Sequence, residues 1–168
     1  SLAVGEDSFG TVNVLANDSS KFVTLSASNI TAFTQGAKGT VVGNGDGTFT
    51  YTANANATGT DSFTYTVSDV AGRPPVTVTV SVNINAINDA PVAASGTATV
   101  DEDHVGGIAI DVAALVSDVE TADAGLTVTA TVPAAQGTVS VSGTVITFTP
   151  AANFNGPASI SYSVSDGA

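Results

Sequence analysis

Apolar residues recur at every second position through much of this chain. Phe63, Tyr65 and Val67 fall on one side of "FTYTVS", and Thr64, Thr66 and Ser68 on the other. The same alternation runs through 75–84 ("PVTVTVSVNI"), 126–132 ("LTVTATV") and 143–150 ("GTVITFTP"), each bounded by Gly, Asn, Asp or Pro. A period of two sends one face into a core and the other into water, which is the arrangement of a β-strand. A helix would need apolar residues three or four apart, and the many Val and Thr residues work against it because a branched Cβ restricts χ1. The glycines of "GNGDG" (43–47) supply the positive φ of a tight hairpin between two such strands.

The pattern occurs twice. "GTFTYTANANATGTDSFTYTVSD" (47–69) lies over "TVITFTPAANFNGPASISYSVSD" (144–166), setting Tyr51 on Phe148, Gly59 on Gly156, Tyr65 on Tyr162, Val67 on Val164 and Asp69 on Asp166. Upstream, "GEDS" (5–8) matches "DEDH" (101–104) and "AND" (16–18) matches "VSD" (116–118) with small shifts, as loops of unequal length produce. Two modules are predicted, 1–88 and 89–168, with the boundary in "INDAP" (87–91). About seven short strands per copy, each with one buried face, predict an all-β chain of two Greek-key β-sandwiches. Tyr65 and Tyr162, on the apolar side of their strands, are expected to anchor the cores. The second copy stops at "SDGA" (165–168), before the counterpart of 75–84, so it is expected to lack its last strand and to present an unpaired edge.

Charge narrows the function. Charged residues are only 11% of the chain, yet the net charge is −12, because 15 acids face three bases, Lys21, Lys38 and Arg73. Nucleic acid is excluded as a partner, since phosphates need Lys and Arg. The acids cluster at Glu6-Asp7, Asp101-Glu102-Asp103 and Asp118 to Asp123 rather than along the strands. Carboxylate and amide oxygens grouped without basic partners suit a hard divalent ion, calcium above all. With no Cys and a single His104, there is neither a disulfide framework nor a zinc site. No apolar run approaches the ~20 residues of a membrane span. No Ser-His-acid or paired-carboxylate constellation can be assembled around one His, so the chain is not expected to be an enzyme.

Particular stretches also resemble a known family. "YTVSDVAGRPPVTVTVSVNINAINDAPV" (65–92) is similar to the last two strands and linker of a cadherin-type repeat, and "LVSDVETADAGLTVTA" (115–130) to that family's acidic loop between its second and third strands. "NDAPVA", "VDED" and "TFTPAANFNGPASISYSVSDG" resemble the tandem cadherin-like repeats of giant bacterial surface adhesins. The resemblance implies Ig-like or cadherin-like sandwiches, an extracellular position on a bacterial surface, and Ca2+ at the junction between modules. It further implies neighbouring repeats of the same chain as partners, with host-cell or biofilm surfaces reached through other domains. One departure stands out: the family's Asn-Asp-Asn before Ala-Pro is here shortened to Asn88-Asp89.

In such a sandwich, the loop between strands two and three and the loop after strand six open at the same end. Asp118, Glu120 and Asp166 of the second copy are therefore expected to pool with Glu6, Asp7 and Asp61 of the first and with Asn88 and Asp89 of the linker as calcium ligands. Weaker ligation is expected from Asp18 and Asp69 in the first copy, where Ser20 stands in place of Glu120. The same holds for Glu102 and Asp103 in the second, where Ala158 stands in place of Asp61. The expected function is a calcium-rigidified extender of a secreted or surface adhesin. The alternative is a carbohydrate-binding or homophilic adhesion module of a secreted multidomain protein.

Overall fold

The computed structural model describes residues 1–168 except 22, 70–72, 102, 103 and 105. The chain divides into two compact units, Ser1–Ile87 and Asn88–Ala168.

Unit 1 has seven strands: β1 (Leu2–Gly5), β2 (Phe9–Asn13), β3 (Ile30–Phe33), β4 (Gly39–Gly43), β5 (Thr48–Ala53), β6 (Gly59–Val67) and β7 (Val76–Asn85). They form a four-stranded sheet in the order β1-β7-β6-β3 and a three-stranded sheet in the order β2-β5-β4. All ladders are antiparallel except β1 with β7, where Leu2 lies opposite Val82 and Val4 opposite Ile84. The 43–47 turn closes the β4–β5 hairpin with Gly45 and Gly47 at φ of 80° and 92°. The Asp46 carboxylate ties that turn by accepting from the Thr48 amide and hydroxyl.

Alternation fills the core from both sheets. Phe63, Tyr65 and Val67 of β6, Val80, Val82 and Ile84 of β7, and Phe49 and Tyr51 of β5 are buried, while their odd or even neighbours face water. Phe49 packs at an angle against Phe33, Phe63 and Tyr65, with ring centroids 5.1, 5.6 and 6.2 Å away.

Unit 2 repeats the plan with a gap. Its strands are β8 (Val92–Ala93), β9 (Ile108–Asp111), β10 (Val116–Ser117), β11 (Thr127–Thr131), β12 (Gly137–Ser142), β13 (Val145–Pro150) and β14 (Ser161–Ser165). One sheet runs β12-β13-β9; facing strands pair as β11-β14 and, in a two-residue ladder, β10-β8. By the repeat, β9, β13 and β12 stand for β2, β5 and β4, and β11 and β14 stand for β3 and β6. No strand among the described residues of unit 2 corresponds to β1 or β7. The consequence is visible in burial. Phe63, Tyr65 and Val67 are 1%, 2% and 8% exposed, whereas their counterparts Ile160, Tyr162 and Val164 are only partly buried. Tyr162 is therefore a flank of its core rather than the anchor expected from its position, because no strand among the described residues covers it as β7 covers Tyr65.

Candidate functional site

The acids singled out in the sequence fall into three settings. The first is the turn after β1. Glu6 is 0% exposed, the only buried charged side chain among the described residues. The β1–β7 ladder puts it there: its amide donates to Asn85 O at 2.9 Å, and its Oε1 accepts the Ile87 amide at 2.8 Å. Oε2 is buried with no hydrogen-bond partner. Asp7 follows in the left-handed region at φ 55°, exposed, its carboxylate 3.4 Å from the Asn56 amide.

The second setting is the entry of unit 2, where a hydrogen-bonded chain links five of the predicted ligands. Asn88 Nδ2 donates to Asp166 Oδ2 at 2.5 Å, and the Asp89 amide donates to Glu120 Oε2 at 3.0 Å. Asp118 Oδ1 accepts the amides of Glu120 (3.0 Å) and Thr121 (2.6 Å), the local turn that an Asp at this place in a loop favours. Its Oδ2 is buried and has no partner. The Asn88 amide and the Ala168 amide together hold the Asp166 carboxyl below the usual carboxylate range.

The third setting is Asp61, which accepts from Tyr51 Oη at 2.5 Å, the Lys38 amide at 2.8 Å and the Ala37 amide at 3.1 Å. Burial alone would raise its carboxyl; the hydrogen bonds from Tyr51, Lys38, Ser62 and Ala37 outweigh that and lower it. The same contact, after burial, pushes the Tyr51 hydroxyl far above its ordinary range. Asp61 is thus an internal anchor that ties the 36–38 loop to β6. Gly36 is required for it, because a Cβ there would sit 2.4 Å from Asp61 Oδ2.

Comparing the copies explains why one loop is closed and the other open. In unit 1, Asp18 Oδ2 accepts the Tyr65 hydroxyl at 2.8 Å, and Asp69 Oδ2 accepts Ser20 Oγ at 2.8 Å and lies 3.8 Å from the Arg73 guanidinium. Burial and then Asp18 push the Tyr65 hydroxyl up to about 12. In unit 2 the matching Tyr162 hydroxyl goes to Ala94 O instead, which leaves Asp118 Oδ2 without the donor that Asp18 has. Where Ser20 closes onto Asp69, Glu120 reaches out to the Asp89 amide.

Among the described residues, no three Asp, Glu or His side chains gather closely enough to form a metal site by themselves. Glu102 and Asp103 lie outside the described residues. The sequence reading did not find the Tyr51–Asp61 hydrogen bond, although the repeat carried a signal for it. Both partners disappear together in the second copy, as Phe148 and Ala158.

A family model described as "Bacterial Ig domain" matches residues 1–85 and again 88–168. The chain belongs to the bacterial Ig domain family. Both sandwiches are accounted for by it, as two tandem copies. No curated protein matches the sequence. A solved endo-fucoidan hydrolase of glycoside hydrolase family 107 is similar at 23% identity over 83% of this chain, with a TM-score of 0.35. This chain spans 22% of that one, and a likeness of that degree carries no statement about activity. Among the described residues no helix is long and apolar enough to cross a membrane.

Proposed function

We propose that these two bacterial Ig domains are an extender segment of a longer extracellular surface protein of adhesin type, stiffened by calcium along its inter-domain linker. The observation that carries this reading is the pair of buried carboxylate oxygens without a hydrogen-bond partner, Glu6 Oε2 and Asp118 Oδ2. A buried carboxylate oxygen deprived of both water and a donor is costly, and a cation removes that cost. With three basic residues in the whole chain, a metal ion is the natural source of positive charge. Oxygen-only donors select a hard ion, and calcium is the hard ion that accepts irregular sets of six to eight oxygens.

On unit 1, Glu6 and Asp7 would offer oxygens to calcium, and on unit 2, Asp118 would do so with Asn88, Asp89, Glu120 and Asp166. Asp61 is set aside, because three donors of unit 1 already occupy it. Glu6 holds the Ile87 amide, while the next two residues, Asn88 and Asp89, engage Asp166 and Glu120. The linker residues on either side of the 87–88 peptide are thus each held by acids of their own unit, and calcium bound by those acids would order the linker. Stiff joints repeated along an array give reach, with neighbouring repeats as the partners and the surface-binding parts elsewhere in the protein.

The absence of Cys makes the test direct. Spin labels at Thr79→Cys and Ser140→Cys, one exposed position in each unit, report the distribution of distances between them. Calcium is expected to narrow that distribution and a chelator to broaden it; an unchanged distribution in millimolar calcium would sink the extender mechanism.

A further inference from the structure

Two places in the chain set an asparagine directly before a glycine: Asn44-Gly45 in the β4–β5 hairpin and Asn155-Gly156 in the loop between β13 and β14. The pairing matters chemically. Without a Cβ on the following residue, its backbone nitrogen is free to swing onto the asparagine side chain. Both glycines are open to that approach, since their φ values are 80° and 112° and a Cβ on either would meet nothing within 4 Å. Both asparagines are exposed. The two sites differ in what holds the side chain.

Asn44 is tied down. Its Nδ2 donates to Thr48 Oγ1 at 2.8 Å and to Thr50 Oγ1 at 3.1 Å, and its Oδ1 accepts from Thr50 Oγ1 at 3.3 Å. Thr48 is itself fixed, its hydroxyl donating to Asp46 Oδ1 at 2.6 Å. The Asn155 side chain has no such partner among the described residues. Its loop is anchored on either side instead, the Phe154 amide donating to Ala151 O at 3.0 Å and the Ser159 amide to Gln136 Oε1 at 2.9 Å. Unit 1 builds the same loop. There the Ala57 amide donates to Asn54 O at 3.2 Å, Asn56 repeats the left-handed φ of Asn153 (56° and 57°), and Gly59 stands at φ 86°. Thr58 and Gly59, which match Asn155 and Gly156, are exposed although β7 pairs beside them. Exposure at this place therefore belongs to the loop itself.

We propose that Asn155-Gly156 is a self-modification site, where Asn155 deamidates in the folded protein while the hydroxyls of Thr48 and Thr50 withhold Asn44 from the same reaction. The Gly156 nitrogen gives its proton to solvent and bonds to Asn155 Cγ; the bond from Cγ to the side-chain nitrogen breaks, and that nitrogen leaves as ammonia. Water then opens the cyclic imide at one of its two carbonyls. One opening gives aspartate, and the other gives isoaspartate, whose main chain runs through the side-chain carbons. Water is consumed and ammonia released, with no oxidant or cofactor. Either product adds a negative charge to unit 2, where none of the chain's Lys or Arg residues lies. The isoaspartate form also lengthens the backbone between the anchors at Phe154 and Ser159.

The test ages the full chain in mildly alkaline buffer. Mass spectrometry of its proteolytic peptides follows the exchange of amide for acid at both asparagines, and an isoaspartate methyltransferase assay reports the rearranged product. Asn44 must break its hydrogen bonds before it can cyclise, so Asn155 is expected to react about tenfold faster or more in the folded chain, about 1.4 kcal/mol of barrier. Denaturant is expected to bring the two rates together, because both pairs are then plain Asn-Gly. Thr48→Val combined with Thr50→Val keeps the branched strand residues and is expected to raise the Asn44 rate toward that of Asn155. Equal rates in the folded parent chain, or a faster reaction at Asn44, overturn the proposal. An Asn44 rate unmoved by the double substitution overturns the guarding role of the two threonines.

Discussion

At the scale of single residues, the two copies differ in what each loop aspartate receives. Asp18 is satisfied by a tyrosine hydroxyl, whereas Asp118 has lost that donor to Ala94 O and keeps one buried oxygen bare. The unit 1 arrangement has a pH consequence. Because the Tyr65 hydroxyl is raised to about 12 in the folded chain, it ionises near pH 10 when unfolded and later when folded. Its stabilisation is whole below about pH 10 and is lost as pH climbs through the folded value. Unit 1 is therefore expected to lose stability over that alkaline interval, and Tyr65→Phe to flatten the loss. Denaturant midpoints measured across the interval decide it, and equal slopes in the two proteins would refute the role given to Tyr65.

At the scale of elements, the pairing of β1 with β7 is what separates a finished sandwich from an open one. Phe63 and Ile160 occupy matching places, but only Phe63 has a strand across from it, Val80 of β7. Phe63→Ala is expected to destabilise unit 1 by about 3–5 kcal/mol, and Ile160→Ala to destabilise unit 2 by less than half as much, since its side chain is already partly wet. Denaturant unfolding with NMR reporters in each unit checks this; equal losses would mean that Ile160 is as well covered as Phe63.

Much of this level was legible in the sequence. The period-two runs at 63–67 and 75–84 became β6 and β7, and "GNGDG" became a hairpin, because local alternation and turn chemistry dictate those features without help from afar. The burial of Glu6 was not legible. It depends on a parallel ladder between the first and last strands of a unit, a contact across some 80 positions that no local pattern encodes. The amide bonds that Asp61 accepts were not legible for a related reason, since the 37–38 amides are brought to it by the fold of a loop rather than by spacing.

At the scale of the whole molecule, two family members in tandem carry 15 acids against three bases. Glu6 of unit 1 and Asp118 of unit 2 are the carboxylates proposed to bind calcium. Isothermal titration of the chelator-treated full chain with calcium chloride tests that binding most directly, with Glu6→Gln and Asp118→Asn titrated alongside. The account predicts saturable binding by the parent chain that is weakened at least tenfold, about 1.4 kcal/mol, in each variant. Heats no larger than dilution in the parent chain, or binding untouched by both substitutions, would contradict it.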